Sequence, residues 1–356
     1  MKLTQRKSLV SIACVLAAIV RGIGTFTLAS ALALISAGAM FGGDEGISSP
    51  QLLAETGRSR AVSYGKTPPP RNYNLHTLVY SGGPVMLNHI NVYVIWYGDI
   101  WYNPPDSDYY PVMDFISNIG KSAYWAINSK YYQQTGGNTW YVTNNIYYAD
   151  DCFSDSQGNN LTRPDLAIAA MFDGGTCFNS STSLLTADSN GIYVLLASPG
   201  VTLPNPGCGY QDVGWYGGPQ APGGFYFPFI AIPYPSMDPA HCELPYASPN
   251  SVTGDALVNQ LARLLSDTAT NPIRYATPGW QEFDTTGQLI GGTGGTADVL
   301  CSGQFGPLQL DSSGKYYSLT LPSSVAWPTA SPTRNYLVQQ NWVFTDAYNG
   351  KCAMQP

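Results

Sequence analysis

The segment from Asn88 to Tyr97, NHINVYVIWY, constrains the fold more than any other stretch of the chain. Ile90, Val92, Val94 and Trp96 fall on one face of an extended strand. The hydrophobicity that runs from Val85 to Tyr97 predicts burial of the opposite face as well. A strand covered on both faces belongs in the middle of a parallel sheet sandwiched by helices. The chain around it agrees. Helical periodicity follows in Val112, Phe115, Ile116 and Ile119, with a continuation after Gly120 as far as Tyr132. Thr139 to Tyr148 reads as a second strand, Pro164 to Phe172 as a short helix with proline in its first turn, and Gly191 to Ala197 as a third, wholly apolar strand. This alternation predicts an α/β fold with a mostly parallel central sheet and flanking helices.

Between residues 198 and 250 proline and glycine become dense around Trp215, Tyr216, Phe225, Tyr226, Phe227 and Tyr234. A long ordered loop region with one strand, Phe225 to Ile232, is expected there, pinned by Cys208 and Cys242. The segment Gly254 to Pro272 predicts a helix capped by Thr253, with Asp255 in its first turn and Leu257, Val258, Leu261, Leu264 and Leu265 along a wide apolar stripe. Leu308 to Leu321 predicts a C-terminal hairpin with glycine in its turn. No repeat and no linker divides residues 75–356, so one domain is expected. Residues 40–74, which include Lys66-Thr67-Pro68-Pro69-Pro70, read as a flexible lead-in.

Residues 1–39 carry Lys2, Arg6, Lys7 and Arg21, no acidic residue, and apolar runs ending in Ala37-Gly38-Ala39. This is the layout of a cleaved signal peptide, a retained signal-anchor being the alternative; without such an anchor the mature form is expected to have no membrane association. Cleavage lowers Lys+Arg from 16 to 12 against 23 Asp+Glu, taking the net charge from -7 to -11. So acidic a chain lacks the basic footprint that nucleic acid requires. Charged residues make up 11% of the chain, against roughly 25% in ordinary soluble proteins. Tyr, Ser, Thr, Asn and Gly must therefore cover the surface, as they do in extracellular proteins. Beyond Cys14 in the leader, Cys152, Cys177, Cys208, Cys242, Cys301 and Cys352 form an even set without metal-ligand spacing, which predicts three disulfides. Sequential pairing is expected, because each pair then closes a Gly/Pro-rich stretch. The sequons at Asn160 and Asn179 predict surface glycans.

Tyr80-Ser81-Gly82-Gly83-Pro84-Val85, followed by Ile90-Asn91-Val92-Tyr93-Val94-Ile95-Trp96-Tyr97-Gly98, resembles the opening signature of the Exordium, or phosphate-induced protein 1, family of land plants. Gly254 to Pro272, with its Thr270-Asn271-Pro272 ending, resembles that family's helix. Asp298-Val299-Leu300-Cys301, Gly306 to Tyr317 and Cys352 fall where the family has its later landmarks. The resemblance spans roughly residues 75–356. One departure stands out: the family usually carries paired cysteines at each end of the Cys208 to Cys242 region, and here each end has one. The resemblance implies a secreted protein of the cell wall or apoplast, linked to cell expansion and to growth responses to hormone and carbon status. It brings no firm catalytic activity with it.

The same helix also resembles that of a bacterial family of secreted zinc peptidases, with Asn259 at the first ligand position, Gln260 at the general base and Arg263 at the second ligand. Zinc hydrolysis needs imidazole or carboxylate ligands one turn apart and a carboxylate to take the proton from water. Two amides and a guanidinium supply neither, so no metal or other cofactor is expected. The helix is either a degenerate hydrolase scaffold or a plain core helix. No G-x-S-x-G elbow is present, His76, His89 and His241 are scattered, and Gly292 to Ala297 reads as a turn rather than a dinucleotide fingerprint. Asp238 with Glu243, or Glu282 with Asp284, could form a glycosidase pair, which keeps a secreted hydrolase as the alternative reading. Trp215, Tyr216, Phe225, Tyr226 and Trp280 suit stacking on sugar rings. The favoured expectation is a noncatalytic protein that binds wall polysaccharide or a cell-surface receptor.

Overall fold

The structure, a computed structural model, describes residues 76–356 apart from 103, 175, 179–183, 206, 275–276, 285–299, 329 and 347–348. The expectations for residues 1–74, for Asn179 and for Gly292 to Asp298 lie outside the described residues. All described residues fall within one compact unit, Ser48–Pro356.

In chain order the elements are β1 (His76–Tyr80), β2 (Ile90–Tyr97), α1 (Asp106–Asn118), α2 (Ala123–Ala126), β3 (Tyr132–Thr135), β4 (Asn138–Tyr141), β5 (Ile146–Ser154), α3 (Pro164–Asp173), β6 (Gly191–Ala197), β7 (Tyr210–Tyr216), β8 (Phe225–Ile232), α4 (Pro239–Cys242), α5 (Val252–Thr270) and β9 (Trp280–Asp284). A five-stranded sheet, ordered β5-β2-β6-β8-β7, forms the frame. Strand β2 pairs in parallel with β5 and β6, and β6 pairs in parallel with β8.

The two faces of β2 divide the interior. Ile90, Val92, Val94 and Trp96 join a core with Val112, Phe115 and Ile116 of α1 and Leu257, Leu261 and Leu264 of α5. Tyr93, Ile95 and Tyr97 join a second core against Ala167, Ile168, Met171 and Phe172 of α3. Burial on both faces suits the interior place of this strand between β5 and β6, although the middle strand of the five is β6.

The structure corrects several expectations. The sheet is mixed, because β7 runs antiparallel to β8 at one edge. Residues 198–250 therefore contain two strands, not one. Strand β7 hides in the sequence because Gln211, Asp212 and Gly214 interrupt its apolar pattern, and Gly214 is there for room: a Cβ would lie 2.1 Å from the Phe227 ring. The stretch Thr139 to Tyr148 is not one strand. It breaks at Thr143-Asn144-Asn145 into the end of hairpin β3–β4 and the start of β5. The helix after Gly120 is a chain of short turns, in which α2 is capped by Ser122 accepting from the Trp125 N–H at 3.0 Å. The C-terminal hairpin is minimal, β10 (Gln309–Leu310) with β11 (Tyr316–Tyr317), and two further antiparallel pairs follow it: β12 (Leu319–Pro322) with β13 (Thr333–Tyr336), and β14 (Asn341–Asp346) with β15 (Asn349–Ala353). Disulfides join Cys152 to Cys177, Cys208 to Cys242 and Cys301 to Cys352.

Candidate functional site

Helix α5 is buried along its length from Gly254 to Thr270. Asn259, Gln260 and Arg263 therefore face the interior, and no cleft reaches them. Their polar atoms hold the protein together. Asn259 Oδ1 accepts from the Gln339 N–H at 2.8 Å, and Gln260 Oε1 accepts from Arg263 Nε and Nη2 at 3.2 and 2.8 Å. The pattern continues down the helix. Ser266 Oγ accepts from the amides of Asn128 and Asn341 at 3.2 and 3.1 Å, and Asp267 lies 3.6 Å from Arg274 Nη1. Tyr131 donates to the Trp342 carbonyl at 2.6 Å, and burial, with Asp267 nearby, pushes its hydroxyl pKa well above the ordinary value. A buried polar group must be hydrogen-bonded or cost several kcal/mol, so this helix acts as a polar spine to which the surrounding loops are tied. Among the described residues no group of three or more His, Cys, Asp or Glu is placed to hold a metal ion.

The carboxylate candidates are likewise dispersed. Asp238 accepts from or pairs with His241 Nδ1 at 2.7 Å beside α4, while Glu282 is buried in β9. A cavity of about 310 Å³ lies elsewhere, in the 323–332 loop, lined by Ser323, Val325 and Pro332 among others.

The five aromatic candidates separate into three places. Tyr216 is buried on the α3 side of the sheet, its hydroxyl 2.7 Å from Asp173, and Phe225 packs beside it. Trp280 is buried at the foot of another aromatic group, with its Nε1 donating to the Tyr132 carbonyl at 2.9 Å. Trp215 and Tyr226 remain together at the surface, 44% and 49% exposed. They are cross-strand partners on β7 and β8, with ring centroids 4.7 Å apart in an edge-to-face arrangement. The Gly/Pro-rich turn that joins these strands explains its own composition. A Cβ on Gly224 would lie 2.3 Å from Trp215 Cζ2, so glycine there lets the indole rest against the turn. The turn from Gly217 to Gly224 carries no charge. The result is a half-exposed pair of aromatic rings set against the backbone of an uncharged turn.

The first signature residues pack against the segment that leads into β9. Tyr80 of β1 is the register partner of Trp280 of β9, the Ser81 N–H donates to the Gly279 carbonyl at 2.7 Å, and the Gly83 N–H donates to the Pro278 carbonyl at 2.9 Å. Sequence reasoning missed Tyr132, which packs with Tyr80 at 5.4 Å and with Trp280 at 5.0 Å between ring centroids, and Tyr141, which packs on Tyr132 at 6.0 Å. The cluster of uncharged aromatic and amide residues from Tyr131 to Tyr148 was the available signal.

A family model described as the phosphate-induced protein 1 conserved region matches residues 78–314. Among curated proteins, the chain is 29% identical over 306 residues to Protein EXORDIUM-like 5 of Arabidopsis thaliana, covering 76% of each chain. It is 28% identical over 313 residues to Protein EXORDIUM-like 3 of the same plant, covering 77% of this chain and 83% of the relative. Protein EXORDIUM-like 1 is 25% identical over 250 residues, covering 64% and 74%. No solved structure matches the chain. The family signature at residues 80–98, the glycine-packed contact between β1 and β9 that it builds, and the match across residues 78–314 together place the chain in the phosphate-induced protein 1, or Exordium, family.

Proposed function

We propose that this is a secreted, noncatalytic protein of the cell wall or apoplast that acts in cell expansion and growth regulation by binding wall polysaccharide. The single observation that carries the binding reading is the Trp215–Tyr226 platform, two large aromatic rings left half-exposed yet fixed by a glycine floor. Flat apolar faces flanked by uncharged hydrogen-bonding groups suit the faces and edges of sugar rings. Fixing the rings beforehand lowers the ordering cost of binding. The extracellular location rests on the leader pattern of residues 1–39, the three disulfides and the sequon at Asn160, which is exposed. No helix among the described residues is long and apolar enough to cross a membrane. The noncatalytic reading rests on Asn259, Gln260 and Arg263 being consumed in structural hydrogen bonds.

Retention of the purified mature protein on immobilised wall polysaccharides tests the reading. The double variant Trp215→Ala/Tyr226→Ala is expected to bind about tenfold more weakly while keeping its unfolding midpoint, since a stacking loss of about 1.4 kcal/mol corresponds to that factor. Undiminished retention of the double variant, or turnover of the bound polymer, would refute it.

A further inference from the structure

We infer that the β3–β4 hairpin carries a second carbohydrate site, centred on Tyr141 and specific for uncharged pyranose chains. The hairpin is a two-stranded blade in which Tyr132 faces Tyr141 and Gln134 faces Thr139. Alternation along each strand puts these four side chains on one face. Tyr141 is 56% exposed, and Gln134 and Thr139 are exposed beside it. Such a ring on an isolated hairpin would ordinarily be mobile, because a two-stranded unit is marginally stable by itself.

Here the blade is anchored. The Tyr141 ring packs edge-on against Tyr132 at 6.0 Å, Tyr132 packs against Tyr80 at 5.4 Å and against buried Trp280 at 5.0 Å, and Trp280 donates to the Tyr132 carbonyl. The Gln134 N–H donates to the Tyr80 hydroxyl at 3.0 Å, and Gln133 Oε1 accepts from the Val85 N–H at 2.9 Å. The whole hairpin is thereby tied to the signature segment that follows β1, and Tyr141 is a fixed platform.

Charge selects the ligand. Residues 131–149 contain no charged side chain in a protein whose net charge is -7. An anionic polymer such as a polyuronate would find no cation on the two strands, exposed Lys130 lying just before them, and would be repelled by the net negative charge of the molecule as a whole. A basic partner would find no carboxylate on the blade. A neutral sugar requires only a ring to stack on and amide or hydroxyl groups for its edges, and this face supplies both. Gln134 and Thr139 stand two residues from the ring pair, about 6.6 Å along the strand, within reach of the hydroxyls of a sugar stacked on Tyr141. Trp140, 52% exposed, projects from the opposite face opposite Gln133 and belongs to no such arrangement.

This site is separate from the Trp215–Tyr226 platform, and the two stand or fall independently. Calorimetric titration of the full mature protein with cellohexaose, a soluble unsubstituted β-1,4-glucan, tests it. The wild type is expected to show two binding events. Tyr141→Ala should weaken one of them about tenfold, Tyr141→Phe should retain it, Trp140→Ala should leave it within about twofold, and Trp215→Ala/Tyr226→Ala should weaken only the other, about tenfold. A shared unfolding midpoint verifies that the variants fold. The inference is overturned if Tyr141→Ala titrates like the wild type, if Tyr141→Phe loses as much as Tyr141→Ala, or if hexagalacturonate displaces the glucan from this site. Loss in Trp215→Ala/Tyr226→Ala alone would overturn it while leaving the proposed function standing.

Discussion

Asp255 is a fully buried carboxylate in the first turn of α5, accepting from the Asn250 N–H at 2.7 Å and from the Asn250 side-chain amide at 2.8 Å. The helix dipole favours a negative charge there, and Lys315 and the Asn250 bonds do too, but burial outweighs them and pushes the pKa up from 3.8 to about 6. Protons therefore bind this carboxyl more tightly in the folded state than in the unfolded chain, and its own contribution to stability is greatest below pH 4 and is lost as the pH rises through 6. The residue alone makes the fold roughly 2 kcal/mol less stable at pH 7 than at pH 4, since one pKa unit is about 1.4 kcal/mol and the unfolded carboxyl is already more than half ionised at pH 4. Asp255→Asn is expected to flatten the curve of urea midpoint against pH between 4.5 and 7; a variant curve parallel to that of the wild type would contradict the assignment. The same turn shows a limit of reading residues from sequence. Thr253 and Ser251 are both hydroxyl residues at the start of the helix, yet only Ser251 lies in extended backbone, with φ of -139° and ψ of 161°, where its oxygen accepts from the Gly254 N–H. A cap is chosen by backbone geometry, which two neighbouring hydroxyls do not disclose. The interior position of Asn259, Gln260 and Arg263 was equally hidden, because polar side chains on a helix ordinarily mark its wet face.

At the scale of elements, strong apolar patterns were legible and interrupted ones were not. Strands β2 and β6 were readable because their apolar residues are buried almost throughout, and helix α3 because its proline start and the Ala167, Ile168, Met171, Phe172 face mark it, although Leu166 is exposed. Strand β7 was not, since an edge strand keeps polar residues and its Gly214 gives space to Phe227. The β1–β9 contact carries the family signature for a steric reason. A Cβ on Gly83 would lie 1.9 Å from the Thr277 carbonyl oxygen, and one on Gly279 would lie 2.4 Å from that of Thr270, so two backbones approach where no side chain fits. Gly83→Ala is accordingly expected to cost about 2 to 3 kcal/mol, as overpacking against backbone does. Gly136→Ala at the tip of the β3–β4 hairpin, with open space around it and φ of 59°, should cost only about 1 kcal/mol. Urea denaturation of the two variants compares them directly, and equal losses would show that close approach is not what the signature glycine provides.

For the molecule as a whole, the disulfides decide where the fold can persist. Their sequence separations are 25, 34 and 51 residues. On the loop-entropy account, closing loops of that size removes about 3.5 to 4 kcal/mol each from the unfolded state, or on the order of 10 kcal/mol together. That sum is comparable with the entire net stability of an ordinary domain, about 5 to 15 kcal/mol. Each bond also joins a different part of the structure: β5 to the segment after α3, the start of β7 to α4, and the buried Cys301 region to β15. None of the three is redundant with another. The reduced chain should therefore be marginal at best, so folding is expected to depend on conditions in which these three bonds form. Dithiothreitol at neutral pH is expected to lower the urea midpoint steeply and to abolish polysaccharide retention in parallel, whereas the Cys301→Ser/Cys352→Ser variant should lose about 4 kcal/mol and keep a cooperative transition. Unfolding curves with and without reductant measure both effects. If the reduced protein unfolded at the same midpoint as the oxidised one, the two cores on either side of the sheet would suffice by themselves, and the structural argument for an extracellular life would lose its basis.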